Sequence, residues 1–509
     1  MAAICLMASA NTLRAQAAPQ AGLAQRIDML TDAMTRAQAQ LEQSQRELGD
    51  LRRQLAELRR EMAISQEPGS AAQAAMADPP PPAADETSTS IPKAIQDLRE
   101  RQAIQESQIA IQEQTKVEST SKYPVRVTGM VLMSAFDNTS AVDTPATPSV
   151  VVGGSGSAGA TIRQTTIGFD ARGPHLFGAR SFADLRVDFS GGQATVVSTT
   201  GYAGYVNNNS AMPRLRTAHA GLEWSNTQLE FALDRPIVSP DTPTSLTAVA
   251  LPALAWSGNL WTWNPQAAIT QNLFATHSAG LELQAALIDV GDAPLTPQVT
   301  PNTPPASSPP GSAESSSKPG VEARIALTKS DRDDQGVHFG AGGYFAPHSS
   351  AMGRNYDSWA STLDARLPLG PHFELTGNAY RGAALGGLGA GAYKDFAYSP
   401  NLYTGGYYFR PLDDAGGWAQ LKARAGERLQ FNAAYGMDNV FAGQLRPYYV
   451  EGGSMIQNLA RNRTITGNAI YSPSAYLLLS LEYRRLDSSP VEGPTASSNI
   501  IGVGAGYKF

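Results

Sequence analysis

The residues in this chain with the most chemistry to offer are charged ones, and they alternate with apolar neighbours. Asp184, Arg186 and Asp188 interleave with Leu185, Val187 and Phe189, and Ser480, Glu482 and Arg484 interleave with Leu479, Leu481 and Tyr483. The same parity puts Arg126, Arg324, Arg366, Lys422 and Arg424 on one face with Asp170, Glu230, Glu282, Glu322, Asp364 and Glu374. Fixed charges lining a water-filled passage select ions, and the arginine fork suits a carboxylate. Arg186, Arg366, Lys422, Arg424 and Arg484 are therefore the candidate anion-selective, pore-lining residues. The competing reading is that acids and bases pair across strands and only keep an interior wet.

Covalent or metal chemistry finds no support. The six histidines, His175, His219, His277, His338, His348 and His372, show no ligand spacing. There is no G-x-S-x-G motif. Gly502-Val-Gly-Ala-Gly506 has the look of a dinucleotide loop, but too few residues follow it for a helix. The single cysteine is Cys5, so no disulfide framework is possible. No catalytic residue, metal or cofactor is expected.

Period-two alternation calls for strands. Sixteen are read, at 124–137, 161–172, 180–191, 213–224, 227–234, 265–275, 278–289, 319–329, 336–346, 356–367, 372–382, 415–425, 428–438, 460–471, 475–486 and 497–509. Odd-numbered connections are long, and even ones are turns such as Asp331-Arg-Asp-Asp334 and Ala425-Gly-Glu427. Long loops on one rim and tight turns on the other are the pattern of an outer-membrane barrel. The expected fold is all-β, a 16-stranded antiparallel transmembrane β-barrel over 123–509. Strands 161–172 and 213–224 break the pattern, because Arg163, Arg214 and Arg216 share parity with apolar positions. They sit near headgroups, face a neighbouring subunit, or follow a bulge.

The segment before the barrel differs in texture. Residues 1–17 read as a secretory signal lacking its basic start, with Ala15-Gln16-Ala17 as the cleavage pattern. Leu23, Ile27, Leu30, Met34, Ala37, Leu41, Ser44, Leu48, Leu51, Leu55, Leu58 and Met62 form heptads, so 18–64 is an α-helical coiled coil. The repeat does not fix the number of strands in the coil. Residues 65–91 are a Pro/Ala-rich linker and 92–122 a second helical segment.

An N-terminal coiled coil joined to such a barrel resembles the DcaP-like trimeric porins of Gram-negative outer membranes. The resemblance runs through Val125-Arg-Val-Thr-Gly-Met-Val-Leu-Met-Ser-Ala-Phe-Asp137, Arg163-Gln-Thr-Thr-Ile-Gly-Phe-Asp170 and Ala183-Asp-Leu-Arg-Val-Asp-Phe-Ser-Gly-Gly192. It implies a homotrimeric outer-membrane channel for small anionic solutes, with its coiled coil in the periplasm. Expected partners are outer-membrane lipid, lipopolysaccharide and the barrel assembly machinery, without nucleic acid. Gly504, Tyr507 and Phe509 resemble the C-terminal signal read by that machinery. In general porins the loop after strand five narrows the barrel. The corresponding loop here, 235–264, holds Arg235, Asp241 and Trp256 and the apolar run Leu246–Trp256. That run packs against the inner wall or reaches a neighbouring subunit. The chain departs from the family at 297–318 and 383–392, both expected in outer loops. Rival readings are a trimeric coiled-coil adhesin, opposed by the length of the strand region, and a barrel enzyme.

Overall fold

The computed structural model describes residues 124–191, 212–273, 279–297, 310–329 and 336–509. The expected signal, coiled coil, linker and second helical segment, and the turn Asp331–Asp334, lie outside the described residues. The first strands are β1 Val125–Val142, β2 Val151–Thr161, β3 Thr166–Leu176, β4 Ala179–Asp188, β5 Arg214–Glu223, β6 Thr227–Asp234 and β7 Asn264–Leu273. Then come β8 Gly280–Ile288, β9 Gly320–Lys329, β10 Val337–Ser349, β11 Asn355–Leu369, β12 Phe373–Ala383, β13 Phe396–Asn401 and β14 Gly406–Pro411. The series ends with β15 Asp413–Arg424, β16 Leu429–Val440, β17 Leu459–Tyr471, β18 Leu477–Pro490 and β19 Ala496–Lys508.

Each strand pairs antiparallel with its neighbours, and β19 returns to β1, with Met130 opposite Lys508 and Asn138 opposite Ile500. That closes the ring and leaves no edge. The sheet has 17 segments, but β2 and β3 both pair with β1 and form one stave broken at 162–165. The result is a closed barrel of sixteen staves. β13 and β14 form a separate hairpin outside it.

The faces are inverted relative to a soluble protein. Leu481 is 59% exposed and Leu363 64%, while Asp188, Asp438 and Asn462 are fully buried. Apolar side chains facing outward and polar ones inward fit a wall solvated by lipid. Tight turns follow the rule for two-residue hairpins: Phe177 and Gly178, between β3 and β4, take φ of 51° and 79°, the left-handed pair that matches strand twist.

Both breaks in alternation have a local cause. Arg186 pairs with Thr217 and the next residue, Val187, with Leu215, so Arg216 is the extra residue of a β-bulge. Arg163 lies in the break between β2 and β3, where its Nε donates to the Phe189 carbonyl at 3.3 Å.

Two expectations need correction. Residues 383–392 are not on the outer surface: Leu385, Leu388, Ala390 and Ala392 are fully buried. The Gly391 and Ala392 amides are taken up by Asp414 on β15 and Asp438 on β16, which composition could not reveal. The first outer connection is also shorter than 138–160, because β1 and β2 continue as a hairpin to Val142 and Val151.

Candidate functional site

The connection 235–263 leaves β6 at Asp234, crosses the barrel interior and rejoins at Asn264. Its apolar run is buried from Leu246 to Trp256, apart from Val249 and Leu251. The wall it meets is polar, and buried polar groups require partners. The loop supplies them all round the ring. The Ile237 amide donates to Glu322 Oε2 on β9 at 2.7 Å, and the Thr244 amide to Gln420 Oε1 on β15 at 2.6 Å. Ser245 Oγ donates to Glu482 Oε2 on β18 at 2.5 Å. Gln164 Nε2 donates to the Thr247 carbonyl at 2.9 Å, and Arg214 Nη2 on β5 to the Ala250 carbonyl at 2.8 Å. Asn462 Nδ2 on β17 donates to the Trp256 carbonyl at 2.9 Å.

Asp241 is the loop's charged tether. Arg366 donates to its Oδ1, and His338 Nε2 lies 2.8 Å from its Oδ2. Burial alone would raise this carboxyl. The His338 hydrogen bond and the Arg366 charge outweigh it and hold the group below the ordinary carboxylate range. Arg235 Nη2 donates to the Pro240 carbonyl at 2.9 Å, and its Nη1 is buried without a partner.

A second loop, 384–395, also folds inward. Trp256 stacks on its Tyr393, with ring centroids 4.1 Å apart and planes at 15°. The Asp395 carboxylate accepts from the Gly386 and Gly387 amides and the Tyr356 hydroxyl. The Gly391 amide donates to Asp414 and the Ala392 amide to Asp438. Lys394 Nζ donates to the carbonyls of Ala392, Ile456 and Leu459. Burial pulls the Lys394 ammonium down to about 7. Sequence reading placed 383–392 in an outer loop but missed that it folds inward, since a Gly/Ala run has no periodicity to betray it.

The candidate lumen bases all sit beside carboxylates. Arg186 contacts Asp170 at 2.6 Å and Asp184 at 3.8 Å. Lys422 and Arg424 share Glu374, each at 3.1 Å. Arg484 holds Glu482 at 2.6 Å, and Arg366 holds Asp241. The structure thus gathers Lys422 and Arg424 and leaves Arg186, Arg366 and Arg484 at separate points.

Arg216 and Arg235 make no ion pair among the described residues. They are close enough to couple electrostatically, with Asp188, Arg214 and Asp234 nearby. Arg214 and Arg216 both lie 5.1 Å from the Trp263 ring centroid. The parity clash at 214 and 216 was the sequence signal for this cluster. His219 sits between Asp184 and Asp234, at 3.1 and 3.0 Å, with two acceptors and no nucleophile. No group of side chains able to hold a metal ion occurs among the described residues.

Beneath loop 235–263 a cavity of about 330 Å³ opens, lined by Glu230, Asp234, Arg235, Gln266, Glu282 and Arg324 among others. At the closing strand, Gly504 faces Leu246 of the loop, Tyr507 is 54% exposed, and Phe509 packs on Gly129.

Solved structures of the same architecture exist. The outer membrane channel DcaP of Acinetobacter baumannii aligns with a TM-score of 0.53 at 16% identity, over 76% of this chain and 99% of that one. An anion-selective porin from Comamonas acidovorans gives 0.44 at 11% identity, over 76% and 100%. The likeness to the DcaP channel shows a shared barrel fold. No family model and no curated protein matches the chain.

Proposed function

We propose that this protein is a porin of the DcaP type, a passive diffusion channel of the bacterial outer membrane. The observation that carries the reading is loop 235–263, bonded to staves all round the interior of a closed, apolar-coated barrel. Such a loop narrows a passage without filling it with an apolar core, and the charged cavity beneath it stays hydrated. No metal cluster among the described residues supports an enzyme. Ser312 Oγ does meet His348 Nδ1 at 3.0 Å, but both side chains are buried and the hydroxyl donates to Asp292 Oδ1 at 2.5 Å, so the contact reads as packing rather than as an exposed nucleophile. On this reading the chain is a homotrimer, and the heptads of 18–64 form a periplasmic coiled coil. Gly504, Tyr507 and Phe509 serve assembly.

The preferred solutes are small and carry a carboxylate. Arg186, Arg366, Lys422, Arg424 and Arg484 line the lumen, but each has its charge answered by an acid. Arg216 and Arg235 make no such ion pair, though Asp188 and Asp234 lie near, and they add to the positive field. Planar-bilayer recording tests the whole reading. A porin trimer gives three equal conductance steps, and a salt gradient gives an anion-preferring reversal potential. Neutralising Arg216 and Arg235 together moves that potential toward cations, further than neutralising Arg186 and Arg424. A silent bilayer refutes the channel, and a wild-type preference for cations refutes the selectivity.

A further inference from the structure

We propose that the cavity beneath loop 235–263 binds a small zwitterion, its carboxylate on Arg235 and its ammonium on Glu230. The proposal rests on the channel reading for its biological sense, but not for its geometry. Most charged groups of this cavity are already committed. Asp234 accepts from His219 at 3.0 Å. Arg324 spends Nε and Nη2 on Asp364, at 2.9 and 2.6 Å, and Nη1 on Glu282 and Gln284, at 3.2 and 2.9 Å.

One anion and one cation are left over. Glu230 makes no ion pair among the described residues, and its carboxylate is held by the neutral Gln228 Nε2 at 2.8 Å. Arg235 has one terminal nitrogen on Pro240 and the other, Nη1, buried with no acceptor. A buried donor without an acceptor carries its full desolvation cost, so an incoming carboxylate oxygen gains more there than at a satisfied arginine.

The two free groups cannot satisfy each other. Five residues of extended chain separate them, roughly 16 Å between α-carbons. Both line the same cavity. A solute with an amine at one end and a carboxylate at the other bridges them. A dicarboxylate of the same length sets its second charge against Glu230, and a diamine sets one against Arg235. The site therefore discriminates by charge pattern rather than by net charge.

Three solutes sharing a six-carbon chain make the test: 6-aminohexanoate, adipate and hexane-1,6-diamine. Calorimetric titration of the detergent-solubilised full chain reads binding without requiring conductance. Block of single-channel current reads it in the pore. Saturable binding and block by 6-aminohexanoate, with adipate and the diamine about tenfold weaker or more, supports the site. Glu230→Gln and Arg235→Gln each weaken the zwitterion by about tenfold, and Glu230→Gln narrows the gap to adipate. Wild-type urea midpoints of both variants in detergent confirm that the barrel is folded. Adipate binding as tightly as 6-aminohexanoate overturns the proposal, as does unchanged binding in either variant. A silent bilayer with intact calorimetric binding removes the channel reading and leaves the site standing.

Discussion

Phe509 and Gly129 clasp each other at the seam of the barrel. The Gly129 amide donates to the Phe509 carbonyl at 3.0 Å and the Phe509 amide to the Gly129 carbonyl at 3.1 Å. The phenyl ring lies over the glycine, so a β-carbon at 129 would stand 2.6 Å from a ring carbon and 2.6 Å from the Thr166 carbonyl oxygen. The ring can swing away, but the carbonyl belongs to a paired strand and cannot. Gly129→Val should therefore destabilise the barrel by about 1–3 kcal/mol through overpacking. Phe509→Ala keeps both backbone bonds and loses a half-exposed ring, about 1–2 kcal/mol. Urea midpoints of the refolded barrel in detergent check both, and a Gly129→Val midpoint equal to wild type would show that the seam has slack.

Asp241 ties the crossing loop to two staves at once, through Arg366 on β11 and His338 on β10. Its carboxyl is depressed below its ordinary value of 3.8. The stability it contributes is present above that value and lost as pH falls through the lower, folded one. The tether should therefore persist at pH 4. Asp241→Asn leaves two bases facing a neutral amide, which costs about 1–3 kcal/mol because solvent reaches the Arg366 side chain. Open-channel current should grow noisier in this variant at pH 7, where the wild type is quiet. Identical noise would mean the remaining anchors suffice.

How much of this was legible beforehand varies by residue. The staves were, because Leu477, Leu479 and Leu481 alternate with Ser480 and Glu482, and lipid on one side with water on the other enforces period two. The bulge at Arg216 showed as a parity clash but could not be told from a subunit contact. Pairings such as Lys422 with Glu374 depend on strand register, which alternation alone leaves open. Loop 384–395 was legible as a long connection but its inward fold was not, because Asp414, Asp438 and Lys394 hold it through long-range contacts that no local pattern encodes.

Asp395 gives that loop a dependence on pH. Burial pushes its carboxyl up to about 7, against the pull of the Gly387 amide, the Tyr356 hydroxyl and the Gly386 amide. A raised value means the protonated form is favoured in the fold. Its stability is full below the ordinary value of 3.8 and lost as pH rises through about 7. Asp395→Asn mimics the protonated state but cannot titrate. Its thermal midpoint should match wild type near pH 4 and exceed it at pH 8. Parallel profiles across that range would remove Asp395 from the account.

Trp256 and Tyr393 join the two inward loops, and their stack sits among Val150, Leu412, Val440 and Leu459, all at most 1% exposed. Removing either ring opens a hole that its neighbours, fixed on separate staves, cannot close. Trp256→Ala should cost about 3–5 kcal/mol. Tyr393→Ala should cost somewhat less, since its hydroxyl partner Ser149 keeps a second bond to Asp143 at 2.5 Å. If the rings act as a pair, the double variant should lose less than the two singles combined, by about 1 kcal/mol. Function should respond with stability. Freed from Trp256, loop 384–395 keeps its polar anchors and the packing of Leu385, Leu388 and Ala390 but loses its stacked tie to loop 235–263, and open-channel current should show a second, larger level. Denaturant midpoints of the four proteins give the coupling, and bilayer recording gives the level. Additive losses with a single unchanged current level would show that the two loops fold independently within the lumen.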